Sequence, residues 1–100
     1  MSQRVEETIN RIGTHMGVIG VMIVNQKGVA LRSTMGQNDT IEYGSLIQQF
    51  AKKAIGTIHA LHPEEDVTFV SIRSRKHEIM IAPDKEFTMI VIQNPSRDQE

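Results

Sequence analysis

Residues 70–95, VSIRSRKHEIMIAPDKEFTMIVIQNP, decide the fold. Short apolar runs alternate there with two compact polar turns, Ser74-Arg75-Lys76-His77 and Pro83-Asp84-Lys85-Glu86. Strands are therefore expected near 67–73, 78–82 and 87–92. The second turn has Pro and Asp where a type I turn takes them. Turns this short connect antiparallel neighbours, so the C-terminal third of the chain should be one side of an antiparallel sheet.

Working towards the N-terminus, Glu64-Glu65-Asp66 makes an acidic loop, and His62-Pro63 stops a long helix that starts near Asp39. Asp39 is read as its N-cap, with Glu42 completing a capping box. Residues 18–24 are apolar without alternation, the mark of a strand covered on both faces. Asn25-Gln26-Lys27-Gly28 turns the chain into a shorter strand at 29–33, and 35–38 is a loop. Residues 4–14 place Val5, Ile9, Ile12 and Met16 at helical spacing, opposite Arg4, Glu6, Glu7, Asn10 and Arg11. Gly13 and Gly17 bracket the exit of that short helix. The order helix, two strands, long helix, three strands gives an α+β class with a largely antiparallel sheet, and residues 1–100 read as a single domain.

The long helix carries more apolar surface than one sheet requires. Its apolar residues spread over about 180°, whereas a helix lying on one surface needs roughly 100°. Gly44, Gln48, Ala51, Ile55 and Ile58 step by four, three, four and three residues along one edge of this arc, the spacing of a helix–helix seam. This edge is read as a contact with the same helix of a second copy. A contact inside the monomer, covered by a loop or the first helix, is the other reading. The strand at 67–73 has Val67 and Phe69 on one side, Val70 and Ile72 on the other. An apolar edge strand of that kind is one that monomers avoid, so Val70 and Ile72 join the same candidate interface. Pairing with a two-fold mate would remove the edge.

Composition excludes several functions. The net charge is −1 and aromatics are 4% with no Trp, which argues against nucleic-acid or anionic-membrane partners. The longest apolar run is far below the roughly 20 residues of a membrane span. Without cysteine there is no disulfide framework, thiolate metal site or cysteine nucleophile. His59 and His62 are three apart, but Pro63 breaks the geometry and no third metal ligand is indicated. Glu64-Glu65-Asp66 lacks the alternating ligands and glycine turn of a calcium loop. No serine sits in a nucleophile elbow, and no phosphate loop is present. The expectation is a soluble intracellular binding domain, not an enzyme, with no cofactor, metal or small-molecule substrate.

Three segments, VEETINRI at 5–12, GVIGVMIVNQKGVALRSTM at 17–35 and DVTFVSIRSRKHEIMIAPDKEFTMIVIQNP at 66–95, resemble the roadblock-type light chains of cytoplasmic dynein. The resemblance runs from about Val5 to Pro95, and divergence is expected at 36–39 and in the tail after Pro95. It implies a roadblock/longin-like five-stranded antiparallel sheet with a short N-terminal helix and a long central helix, dimerising into a continuous sheet. It also implies a non-catalytic homodimer, cytoplasmic and microtubule-associated through dynein, that binds the dynein intermediate chain and supports motor assembly, cargo attachment and transport. The intermediate chain is expected to dock as a disordered segment that becomes helical. The sheet face beside the first helix, with Val5, Ile9 and Ile12, is its candidate site. Relatives with this fold also act as scaffolds or activators of small GTPases, which is the alternative function. Arg32, Arg73 or Arg75 could then serve as an arginine finger, though none lies on a segment shaped for insertion.

Overall fold

The computed structural model describes residues 3–95, so the tail after Pro95 lies outside it. Seven elements follow in order: α1 (Gln3–Gly13), β1 (Val18–Asn25), β2 (Ala30–Ser33), α2 (Gln37–Leu61), β3 (Val70–Arg73), β4 (Glu78–Pro83) and β5 (Phe87–Gln93). The five strands make one antiparallel sheet in the order β2-β1-β5-β4-β3. The α+β layout expected from the element order is the one that forms.

β1 lies inside the sheet between β2 and β5, which explains its unbroken apolar run. Val21 and Ile23 face α1, where Ile9 and Val91 join them, with Val5, Ile12, Val18, Met80 and Met89 around the edge. Met22 and Val24 face α2 and pack with Ile47, Ala51, Ile81, Ile90 and Ile92. Successive strand residues point to opposite faces, so a strand between two helices needs apolar residues at every position. Each large side chain buried fully contributes about 1.5–3 kcal/mol.

Two expected boundaries move. Asp39 is not the N-cap of α2; Gly36 is, with extended backbone and no side-chain cap, and its carbonyl accepts a hydrogen bond from Thr40 N at 2.9 Å. What fixes the helix start is a pair of hydroxyls, Ser33 Oγ and Thr40 Oγ1, 2.7 Å apart. Ser33 Oγ also accepts from Met35 N at 3.0 Å, tying the end of β2 to the first turn of α2. Asp39 stays in that first turn, where the helix dipole favours a carboxylate.

β3 begins at Val70 and not at Val67. Its ladder with β4 starts at Val70↔Ile81, so two further steps would set Thr68 against Pro83. Pro83 has no N–H to give, and the chain turns into β5 immediately after it. Residues 66–69 therefore leave the sheet.

Candidate interaction surface

α2 has two flanks. The flank with Gly44, Ile47, Gln48 and Ala51 is buried against the chain's own sheet, and Ala51 is 1% exposed. This corrects the expected seam: Gly44, Gln48 and Ala51 are not free to meet a second copy, and Ile55 and Ile58 are half-buried beside them. The small residues serve a contact within the monomer. Gly28, at φ +85° in the β1–β2 turn, comes so close to the helix that a Cβ on Gly44 would lie 2.7 Å from the Gly28 carbonyl oxygen. Gln48 Nε2 reaches the Gln26 carbonyl at 3.5 Å, and Gln26 Nε2 donates to the carbonyls of Asp84 and Lys85 at 3.3 and 3.0 Å. One helix and two turns are thereby joined.

The other flank is open. Leu46 is 58% exposed, Phe50 43% and Leu61 65%. Leu46, Phe50, Thr57 and Leu61 follow helical steps of four, seven and four along this flank, while Tyr43, one turn before Leu46, packs against the sheet-side core. Sequence reasoning took the small-residue edge as the outward one. The missed signal was the glycine-bearing turn at 25–28, whose close approach requires small residues opposite it.

β3 is hydrogen-bonded to β4 on one side only, and it is an edge of the sheet, as a strand offered to a partner must be. Val70 and Ile72 are half-buried against the α2-side core, so their side chains already have cover and only their backbone faces outward. Phe69, just before the strand, is 55% exposed.

On the opposite face, Ile9 is 4% exposed, with Val5 and Ile12 half-buried around it. These three hold α1 to β1 and β5, with Ile9 as the buried one. An ion pair between Glu6 and Arg32 on β2 fixes the helix laterally. Beyond α1 the same face carries half-buried Met80 and exposed Ser71 and Ala82. A polar cluster bounds it: Arg73 Nη2 donates to Glu78 Oε2 at 2.8 Å, and Gln93 Nε2 to Glu78 Oε1 at 2.8 Å. The Arg73 hydrogen bond, followed by that of Gln93, holds the Glu78 carboxyl below its ordinary range.

An open cleft of about 390 Å³ lies between the C-terminal half of α2 and the β4–β5 turn, lined by Ile55, His59, Val67, Thr68 and Asp84 among others. His59 Nε2 stands 3.5 Å from Asp66 Oδ1 at its rim. Among the described residues no three metal-ligating side chains come together, and no helix is long and apolar enough to cross a membrane.

The fold has solved counterparts. MglB of Myxococcus xanthus superimposes with a TM-score of 0.74 at 18% identity, over 93% of this chain and 77% of that one. A structure described as MglB with tetrameric arrangement gives 0.77 at 10% identity, over 92% and 71%. A Roadblock/LC7 domain from Streptomyces avermitilis gives 0.73 at 8% identity, over 78% and 67%. At these identities the likeness is one of fold. The family model for the Roadblock/LC7 domain matches residues 4–94, which takes in every element from α1 to β5. A five-stranded sheet between a short and a long helix, written in a sequence that fits this model nearly end to end, places the chain in the Roadblock/LC7 domain family.

Proposed function

We propose that the chain is a non-catalytic, self-associating scaffold subunit of the cytoplasm. The observation that carries this is the open stripe Leu46–Phe50–Leu61 on the same molecule as the unpaired edge β3. A second copy related by a two-fold axis would cover the stripe with its own α2 and continue the sheet through its own β3. The tetrameric arrangement reported for one MglB structure supports self-association within this fold.

Two partner classes fit such a scaffold, and the comparisons give more support to a small GTPase. The matched structures are bacterial roadblock proteins, of the wider group in which the resemblance places scaffolds and activators of such switches. Of the three arginines considered, Arg32 and Arg73 are engaged by Glu6 and Glu78, which leaves Arg75 the better candidate; a scaffold needs none. The second class, a dynein intermediate chain, is supported by the wording of residues 66–95 and would make the chain a motor light chain on microtubules. The test is one preparation offered to both: co-elution with an intermediate-chain N-terminal segment, and GTP hydrolysis by candidate GTPases with and without the protein. A stable complex with the segment and unchanged hydrolysis selects the motor reading. Nucleotide-dependent binding or altered hydrolysis selects the switch reading. Neither result with either partner would sink the scaffold proposal.

A further inference from the structure

We infer that the cleft beside His59 is a binding site for a cationic side chain, an arginine of a partner peptide. The inference does not rest on self-association. The cleft has a cause in the fold: residues 66–69 leave β4 where Pro83 ends the ladder, and a gap opens between them beside the C-terminal half of α2. Its volume, about 390 Å³, falls within the range of small-ligand sites. The apolar lining residues, Ile55, Val67 and Pro83, are the half-buried ones, while the polar ones are exposed. An apolar floor with a polar rim suits a side chain that has an aliphatic stem and a charged head.

The rim sets the sign of that head. Asp66 belongs to one wall and Asp84 to the other, and Glu64, Glu65 and Glu86 adjoin them in sequence. Lys85 is the one base in these two segments, so a chain of net charge −1 concentrates acid at this end. Both aspartates are held by one oxygen, and the other has no partner among the described residues. Asp66 Oδ1 faces His59 Nε2 at 3.5 Å, and Asp84 Oδ1 accepts from Lys85 N at 2.8 Å. The Asp84 wall is itself fixed, because Gln26 Nε2 donates to the carbonyls of Asp84 and Lys85. Asp66, Val67 and Thr68 make no backbone hydrogen bond among the described residues, so their carbonyls are acceptors still unused. A guanidinium carries five N–H donors in one plane and stays charged. It therefore matches two carboxylates and a row of carbonyls better than an ammonium does.

The experiment titrates the isotope-labelled full chain with the blocked pentapeptide Ala-Ala-Arg-Ala-Ala and follows backbone amide and Ile methyl shifts by NMR. Shifts should concentrate at Ile55, His59, residues 66–68 and residues 83–85, and saturate in the millimolar range. The same peptide with citrulline, a neutral analogue of similar shape, should bind about tenfold more weakly. Asp66→Asn/Asp84→Asn should lose about tenfold as well. Both positions are exposed, so circular dichroism should show an unchanged fold. Asp39→Asn/Glu42→Gln removes two charges about 25–30 Å away along α2 and should leave binding within about twofold. Equal loss in the two double variants would overturn the site in favour of diffuse attraction. Citrulline binding as well as arginine would overturn the cationic occupant. Cleft shifts that grow with protein concentration in the absence of peptide would show that a second copy covers the cleft, and would overturn it too. An absence of saturable shifts with either peptide would overturn the binding site outright.

Discussion

Gly44 and Gly56 sit on the same helix, and the same substitution should act on them in opposite directions. Alanine favours a helix interior over glycine by about 0.8–1 kcal/mol. At Gly56 nothing lies within 4 Å of the added Cβ, so Gly56→Ala should stabilise the protein by roughly 0.5–1 kcal/mol. At Gly44 the Cβ would meet the Gly28 carbonyl at 2.7 Å, and a backbone oxygen cannot swing aside as a side-chain tip would. Gly44→Ala should therefore lose about 1–3 kcal/mol net, lowering Tm by roughly 5–15 °C in thermal unfolding. Glu78 offers a test in pH. Arg73 and Gln93 depress its pKa below the ordinary 4.5, so the folded state binds this proton less readily than the unfolded chain. The stabilisation is complete above the unfolded value and is lost as pH falls through the lower folded one. In Glu78→Gln the decline of Tm between pH 6 and pH 3 should be shallower than in wild type; parallel curves would show that the cluster contributes nothing to folding.

Among the elements, α2 shows what the sequence could and could not say. Its extent, its stop at His62-Pro63 and its excess of apolar arc were all legible, because helical periodicity and a proline are local facts. Which half of the arc meets the sheet was not legible. That depends on Gly28 pressing against Gly44 across 16 residues of sequence, a contact that reserves the small residues for the inside. The shortened β3 has a similar cause: 67–69 has strand-forming residues, but continuing the ladder would set Thr68 against Pro83, which has no N–H to give. The cap at Gly36 in place of Asp39 likewise comes from β2, through Ser33 and Thr40. The strands that were read well, β4 and β5, are those whose limits are set by their own turns. A pair of variants separates the two flanks of α2. Leu46→Glu/Phe50→Glu changes exposed positions and should leave Tm nearly unaltered while weakening self-association at least tenfold. Ala51→Glu puts a charge at a position only 1% exposed and should cost the fold about 3 kcal/mol or more, with no selective effect on association. Light scattering at several concentrations, beside thermal unfolding, reads both; a folded, monomeric Ala51→Glu protein would restore the small-residue seam.

For the whole molecule the question is whether a partner reads one chain or two. The cleft beside His59 is open to solvent, and among the described residues no three metal-ligating side chains come together. Large surfaces are left instead: the stripe on α2, the edge of β3, and the sheet beside α1 where Met80 is only half covered. Joining two copies through the first two surfaces duplicates the third on one continuous sheet. A partner that is itself paired would then meet two equivalent sites, and linking two binding events can raise overall affinity by about 10²–10⁴ without any new contact. The monomeric Leu46→Glu/Phe50→Glu protein should accordingly bind a two-copy partner about a hundredfold more weakly than wild type, with a smaller change for a single-copy partner. Isothermal titration against the same segment, free and fused to a dimerising coil, makes the comparison. Equal loss for both formats would mean that the partner sits across the two-fold junction itself, on α2, and no loss for either would place its whole site within one chain, on the open sheet beside α1.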